Sequence, residues 1–329
     1  MGPAACAYQI DLLGAPLLVS WQITRNCDLA CVHCCTESAP GKRLPDELDA
    51  AAASRIADEL IRAEVPYVML CGGEPLLAPY FMELAEQLGH AGIQLKIETN
   101  GQSFDAAIAE RLAALPIRSI QVSLDADDQA TYARQRAGGS LEKVHAACKA
   151  VREAGLPLEV TFAPTRINIH QVHRVIDRAV SLGAFRFNTG RLMRIGTAAR
   201  HWERLNPQGY DELLPVLRRH KQRLAGIMDL SYEPFSIGQA LRGALLDPPA
   251  TLLILPNGLV KVVAALPYTC ADLRHDTLAE AWESYRSAWR DDTILRAVRN
   301  AITDESSHAL ANTWQPLNAV SIPSPMETL

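Results

Sequence analysis

Leu17-Leu-Val-Ser-Trp-Gln-Ile-Thr24 runs through Arg25 and Asn26 into Cys27-Asp-Leu-Ala-Cys31-Val-His33-Cys34. The first stretch is mostly apolar and has the length of a buried strand. The second places three thiols at spacings of four and three within eight residues. A strand therefore ends in a short loop carrying three soft ligands on one small surface. Thiolates so spaced grip a soft metal centre, and iron–sulfur clusters are the usual occupants. The spacing alone leaves open half of a zinc site, or a set of buried small hydrophobes. Cys35 adjoins Cys34, so its side chain is expected to point elsewhere. If the protein binds only three irons of a cluster, the fourth is free to hold a small molecule.

Outward from this loop, apolar strands alternate with amphipathic helices. Helices are expected at 50–64, 80–91, 106–114, 141–154 and 170–182, and further strands at 67–70, 94–98, 119–124, 158–163 and 185–189. Ala52, Ile56, Leu60 and Ile61 repeat near the helical period, and Gly155 and Gly183 stop two of the helices. Six strands alternating with helices predict an α/β fold, a parallel sheet with outer helices curled into a partial (β/α)6 TIM-like barrel. Chemistry in such folds lies at the C-terminal ends of the strands.

The remaining motifs fall at those ends. Cys71-Gly72-Gly73-Glu74-Pro75 follows the second strand. Paired glycines let backbone approach a ligand closely, and Glu74 can accept hydrogen bonds from an ammonium group. Glu98 and Asn100 follow the third strand, and Ser123-Leu124-Asp125 the fourth. The last three suit a ribose or an amino-acid head group, or cap a helix. Arg134 and Arg136 precede Gly138-Gly139, and a guanidinium matches a carboxylate bidentately. Arg166, Asn188, Arg191 and Arg194 follow the fifth and sixth strands and predict a basic rim for an anionic substrate. His170, His173 and His201 read as helix-surface residues rather than ligands.

Cys27, Cys31, His33 and Cys34 resemble the CxxxCxφC signature of the radical S-adenosylmethionine (SAM) superfamily, and Gly72–Pro75 and Ser123–Asp125 resemble its GGEP and SxD motifs. The resemblance implies that Cys27, Cys31 and Cys34 hold a [4Fe-4S] cluster whose free iron chelates SAM. It implies that His33 lies near the adenine and that Gly72, Gly73, Glu74 and Pro75 meet the SAM amino group. Ser123, Asp125, Glu98 and Asn100 are then candidates for the ribose and head group, and Arg136, ahead of Arg134, for the carboxylate. Reductive cleavage of SAM would give a 5′-deoxyadenosyl radical that takes hydrogen from a substrate.

From about His201 the alternation is expected to stop. Thr251–Leu255, Pro256-Asn257-Gly258 and Leu259–Val263 read as a hairpin. With Thr277–Trp282 they resemble the SPASM or twitch extension of that superfamily. Its auxiliary clusters need several cysteines, and Cys270 is the only one beyond Cys148. One cluster in all is therefore expected, with Cys270 read either as a buried core residue or as a hydrogen-atom donor to a substrate radical. The expected organisation is an N-terminal strap (1–16), a barrel (17–200), a cluster-free α+β extension (201–300) and a loose tail (301–329).

The chain has 329 residues, a net charge of −5 and 8 cysteines, clustered at one loop and scattered elsewhere, which suits a reducing cytoplasm better than a disulfide framework. No apolar run spans a membrane, and the charge gives no case for nucleic acid. A reductant such as flavodoxin or ferredoxin is the expected protein partner. The lack of auxiliary clusters and of a recognition domain favours a small polar substrate, such as a sugar acid, nucleoside or antibiotic precursor. Decarboxylation as of cytosylglucuronate, epimerisation and dehydrogenation are the candidate outcomes. Maturation of a ribosomally made peptide is the alternative, and a non-catalytic iron–sulfur sensor the reading from another class.

Overall fold

The computed structural model describes residues 9–207, 210–233 and 236–317. Residues 1–8 of the expected strap and 318–329 of the expected tail lie outside this range. In chain order the strands are β1 (Leu18–Thr24), β2 (Ala30–Cys31), β3 (Tyr67–Gly72), β4 (Gln94–Thr99), β5 (Ile117–Ser123), β6 (Arg136–Ala137) and β7 (Leu158–Phe162). They continue with β8 (Arg186–Gly190), β9 (Asp229–Glu233), β10 (Thr251–Ile254), β11 (Leu259–Lys261), β12 (Tyr268–Asp272) and β13 (Gln315–Pro316).

Eleven strands form one sheet in the order β13-β12-β11-β10-β1-β3-β4-β5-β7-β8-β9, and β2 pairs with β6 apart from it. Pairing is parallel from β10 through β1, β3, β4, β5, β7 and β8 to β9. The α/β partial barrel is thus present, with its six expected strands at the centre. Four of the six α-helices between them start where a side chain satisfies free backbone N–H groups. Asp49 caps Ala50–Arg62 through Ala52 N, and Ser140 caps Leu141–Glu153 through Lys143 N. The first of these buries Ala53, Ile56, Ala57 and Leu60, one helical face.

One face of the strands is polar, and this creates the site. Lys96 Nζ donates to Gln121 Oε1 and Glu159 Oε2, both at 2.9 Å, and Asn188 Nδ2 donates to Glu159 Oε2 at 2.7 Å. These four residues come from β4, β5, β7 and β8 and meet inside the curve of the sheet. Their apolar neighbours Leu95, Ile97, Val122 and Phe187 are buried. Alternation of side chains along a strand separates the two faces.

Past residue 201 the structure corrects two expectations. The alternation continues: the helix Tyr210–Arg223 leads into β9, which extends the parallel sheet beside β8. The hairpin β10–β11 is joined to the barrel, because β10 pairs with β1 from Leu18↔Thr251 to Trp21↔Ile254. Without β10, the outer edge of β1 would expose a row of unpaired backbone groups. Residues 301–317 of the expected loose tail form regular structure. The helix Asp292–Thr303, capped by Asp291, is followed by a 3-10 turn at Glu305–Leu310 and by β13 against β12. Buried His308 holds the turn, with Nε2 2.8 Å from Ala301 O. Short strands and long-range side-chain bonds leave little periodic signal.

Candidate active site

Three segments converge at the C-terminal ends of β1, β3 and β4. The loop after β1 buries Cys27, Leu29 and Cys31, with Cys34 packed against them. Nitrogen donors aim at all three sulfurs. Leu29 N lies 3.4 Å from Cys27 Sγ and Ser38 N 3.3 Å from Cys34 Sγ. Asn100 Nδ2 and Arg136 Nη1 lie 3.6 Å from Cys27 Sγ and Cys31 Sγ. Burial pushes the Cys27 thiol up to about 12 and that of Cys31 to about 11, so metal must displace their protons. Three gathered sulfurs, each facing an N–H donor that stabilises negative charge, fit an iron–sulfur group.

The double glycine nests against the start of this loop. Gly72 has φ of +133°, and a Cβ on Gly73 would lie 2.0 Å from Asn26 O. The close approach lets Gly73 N reach Thr24 O at 2.7 Å and Glu74 N reach Asn26 O at 2.9 Å. Glu74 sits beneath the loop surface. It is fully buried, and its carboxylate accepts from Thr99 Oγ1 and Asn100 N, both at 2.8 Å. Burial pushes its carboxyl up to about 7. Glu74 therefore braces the end of β4, where Asn100 turns toward Cys27.

Asp125 is also fully buried. It accepts from Ala163 N at 2.7 Å and Arg136 Nε at 2.6 Å, with His33 Nε2 3.4 Å away. Burial alone would lower the Arg136 pKa, but the neighbouring Asp125 and Cys31 raise it, so the guanidinium stays charged. Burial, against the pull of Asp125, holds His33 down at about 4, hence neutral near pH 7. His33 Nδ1 is buried with no partner among the described residues.

These parts surround one cavity of about 740 Å³. Cys27, Cys31, Cys34, His33, Gly72 and Gly73 line it. So do Glu98, Asn100, Ser123 and Arg136. Glu74, Pro75 and Asp125 do not; the two carboxylates stand behind the wall and hold Asn100 and Arg136 in place. Cys270 packs against the hydrophobic core, in line with the first of its two expected readings. It sits on β12 near the far edge of the sheet, its thiol bonded to Val260 O at 3.6 Å, and is no part of the wall. Of the expected basic rim, Asn188 and Arg191 line the cavity. Arg166 opens onto a different depression, and Arg194 stacks over Trp202 with 5.5 Å to the ring centroid.

Cys35 lines the same wall as Cys34 instead of pointing elsewhere as expected, and Cys71 and Gln121 on the wall were not among the expected site residues. Gln121 donates to Glu98 Oε1 at 2.8 Å, and burial raises the pKa of Glu98, the one carboxylate on the wall. Burial likewise raises Cys71, and lifts Cys35 to about 12. Polar residues two apart in otherwise apolar strands, Lys96 and Glu98, Gln121 and Ser123, were the available signal.

The family model for the radical SAM superfamily matches residues 21–179. The chain is 30% identical over 296 residues to the mycofactocin maturase MftC of Mycobacterium tuberculosis, covering 87% of this chain and 73% of that protein. It is 29% identical over 209 residues to an AdoMet-dependent heme synthase of Methanosarcina barkeri, covering 62% and 58%. Among solved structures, Streptococcus suis SuiB bound to S-adenosylmethionine superposes with a TM-score of 0.71 at 16% identity, covering 90% of this chain and 76% of that one, a likeness of fold alone.

Proposed function

The chain belongs to the radical SAM superfamily, and from that premise we propose that it is a maturase that modifies a peptide substrate by hydrogen abstraction. The family uses a [4Fe-4S] cluster and SAM, which together supply a one-electron cleavage that leaves a 5′-deoxyadenosyl radical. The convergence of Cys27, Cys31 and Cys34 on the wall of a 740 Å³ cavity carries this reading.

Each neighbouring residue then has a task. The three thiolates hold the cluster, and the N–H groups of Leu29, Ser38, Asn100 and Arg136 offset their charge. Arg136, oriented by Asp125, offers a fixed cation to the SAM carboxylate. The backbone of Gly72 and Gly73 is open to the amino group, and neutral His33 to the adenine. Leu192, Met193, Leu253 and Val262 line other parts of the wall, where they exclude water from a bound substrate.

Similarity across 87% of the chain to a protein named a maturase supports a peptide over the small polar intermediate expected from the sequence. The chain's lack of auxiliary-cluster cysteines remains the feature that favours a small molecule. Two measurements separate these possibilities. Anaerobic reconstitution with SAM and dithionite is expected to yield 5′-deoxyadenosine; if none forms, the enzyme itself is in doubt and the sensor is favoured. Mass spectrometry of short peptides encoded beside the gene should then show a hydrogen loss or a mass change. Turnover of sugar acids or nucleosides with no change in any peptide would overturn the peptide assignment.

A further inference from the structure

A second depression, of about 500 Å³, opens on the surface beside the cysteine loop. Its walls carry Arg134 from the helix Gln129–Gln135, Arg166 from the loop after β7, and Arg204 from the short helix Trp202–Leu205. All three are exposed. Among the described residues none of them has an ion-pair partner; Arg166 donates only to the Asn206 carbonyl, at 3.3 Å. Glu203 is the single carboxylate on the wall, beside His201. Three unpaired guanidinium groups therefore gather in one place on a protein whose net charge is −5.

Val32 forms part of the same wall. It follows Cys31 directly, and its N–H donates to Gln135 O at 3.1 Å, next to Arg134. One residue thus separates the basic surface from a thiol of the cavity. Arg134 and Arg136 split on this strip, with Arg136 turned inward to Cys31 and Arg134 outward.

We propose that Arg134, Arg166 and Arg204 form the docking surface for an acidic one-electron carrier protein that reduces the cluster through the Cys31–Val32 side of the loop. The proposal rests on the radical SAM reading of the cysteine loop. Reductive cleavage consumes one electron per event, which leaves the reduced carrier and enters the oxidised cluster; no bond forms or breaks at this step. Exposed charges of one sign steer an oppositely charged protein and speed its encounter. They suit a short-lived electron-transfer complex between two proteins.

The test uses the full chain, reconstituted, with two reductants. Reduced flavodoxin is the acidic carrier and dithionite the small-molecule control, in the parent protein and in Arg134→Glu/Arg166→Glu. Flavodoxin-driven formation of 5′-deoxyadenosine is expected to fall about ten-fold or more, while the dithionite-driven rate stays unchanged. Raising salt should slow the flavodoxin reaction of the parent protein and have little effect on that of the variant. Oxidised flavodoxin, followed by its flavin signal, should bind the parent protein before reconstitution more tightly than it binds the variant. Arg134→Gln/Arg166→Gln, which removes charge without reversing it, should give an intermediate loss. Equal flavodoxin rates in parent and variant overturn the proposal. A matching fall in the dithionite rate also overturns it, because the arginines would then serve the fold or the reaction cavity. No product with dithionite in the parent protein would count against the radical SAM chemistry rather than the docking surface.

Discussion

Asn312 donates its side-chain amide to the backbone carbonyl of Cys35 at 2.8 Å, across 277 residues of sequence. From another side Gly196, with φ of +61°, lets the next turn approach so closely that a Cβ there would lie 2.6 Å from the same carbonyl oxygen. Thr197 N donates to Cys34 O at 2.8 Å. Trp314 lies under the Arg25 guanidinium, 5.8 Å from its ring centroid. The last turn of the cysteine loop is therefore clamped by the C-terminal segment and by the turn after β8. Neither is near it in sequence.

Asn312→Ala removes one hydrogen bond of this clamp, a net loss of about 1 kcal/mol, or about five-fold in a local opening equilibrium. Iron release from the reconstituted protein to a chelator, followed by absorbance, is expected to quicken by about that factor. An unchanged release rate would mean that the clamp plays no part in retaining iron.

The two kinds of cysteine should behave oppositely. Cys31→Ala is expected to lose the visible iron–sulfur absorbance and 5′-deoxyadenosine formation together. Cys270→Ala, outside the cavity, is expected to keep both. A Cys270→Ala protein that cleaves SAM but no longer modifies substrate would assign it the hydrogen-donor role.

Asp125→Asn leaves the buried Arg136 charge without its carboxylate, 2.6 Å away in the parent protein. Breaking one half of a buried pair costs about 3–5 kcal/mol. Denaturant unfolding should register a loss of that order, and calorimetry a weaker affinity for SAM, because Arg136 is no longer held toward Cys31. Full stability in the variant would contradict the buried pairing.

Lys261 is 2% exposed, and its Nζ donates to Ala264 O at 2.8 Å and Ala311 O at 2.7 Å, with no carboxylate partner among these bonds. Burial lowers its pKa to about 7 from the ordinary 10.5. Between those values the unfolded chain binds more protons than the folded one, so this residue makes stability rise with pH from about 7 toward 10. The pH profile of the melting temperature is expected to lose that component in Lys261→Met. Parallel profiles for the two proteins would show that Lys261 is charged in the fold.

The sequence by itself determined the alternating strands and helices, the cysteine loop and the motifs at the strand ends. These depend on local spacing: apolar periodicity, glycine pairs and thiols a few residues apart survive in a linear reading. Only the tertiary structure decided which side chains share the cavity. Glu74 and Asp125 have the residue types of ligands, yet each spends its carboxylate on neighbouring backbone and side-chain donors behind the wall. Cys270 carries a reactive group but sits on β12, packed against the core. Conversely Gln121, Cys71 and Asn312 gain their places from register and from contacts between distant segments. The loop Cys27–Cys34 can be read in one dimension because its ligands are neighbours. The clamp that holds it closed, and the basic surface beside it, exist only once β7, β8 and the C-terminal segment are brought around it.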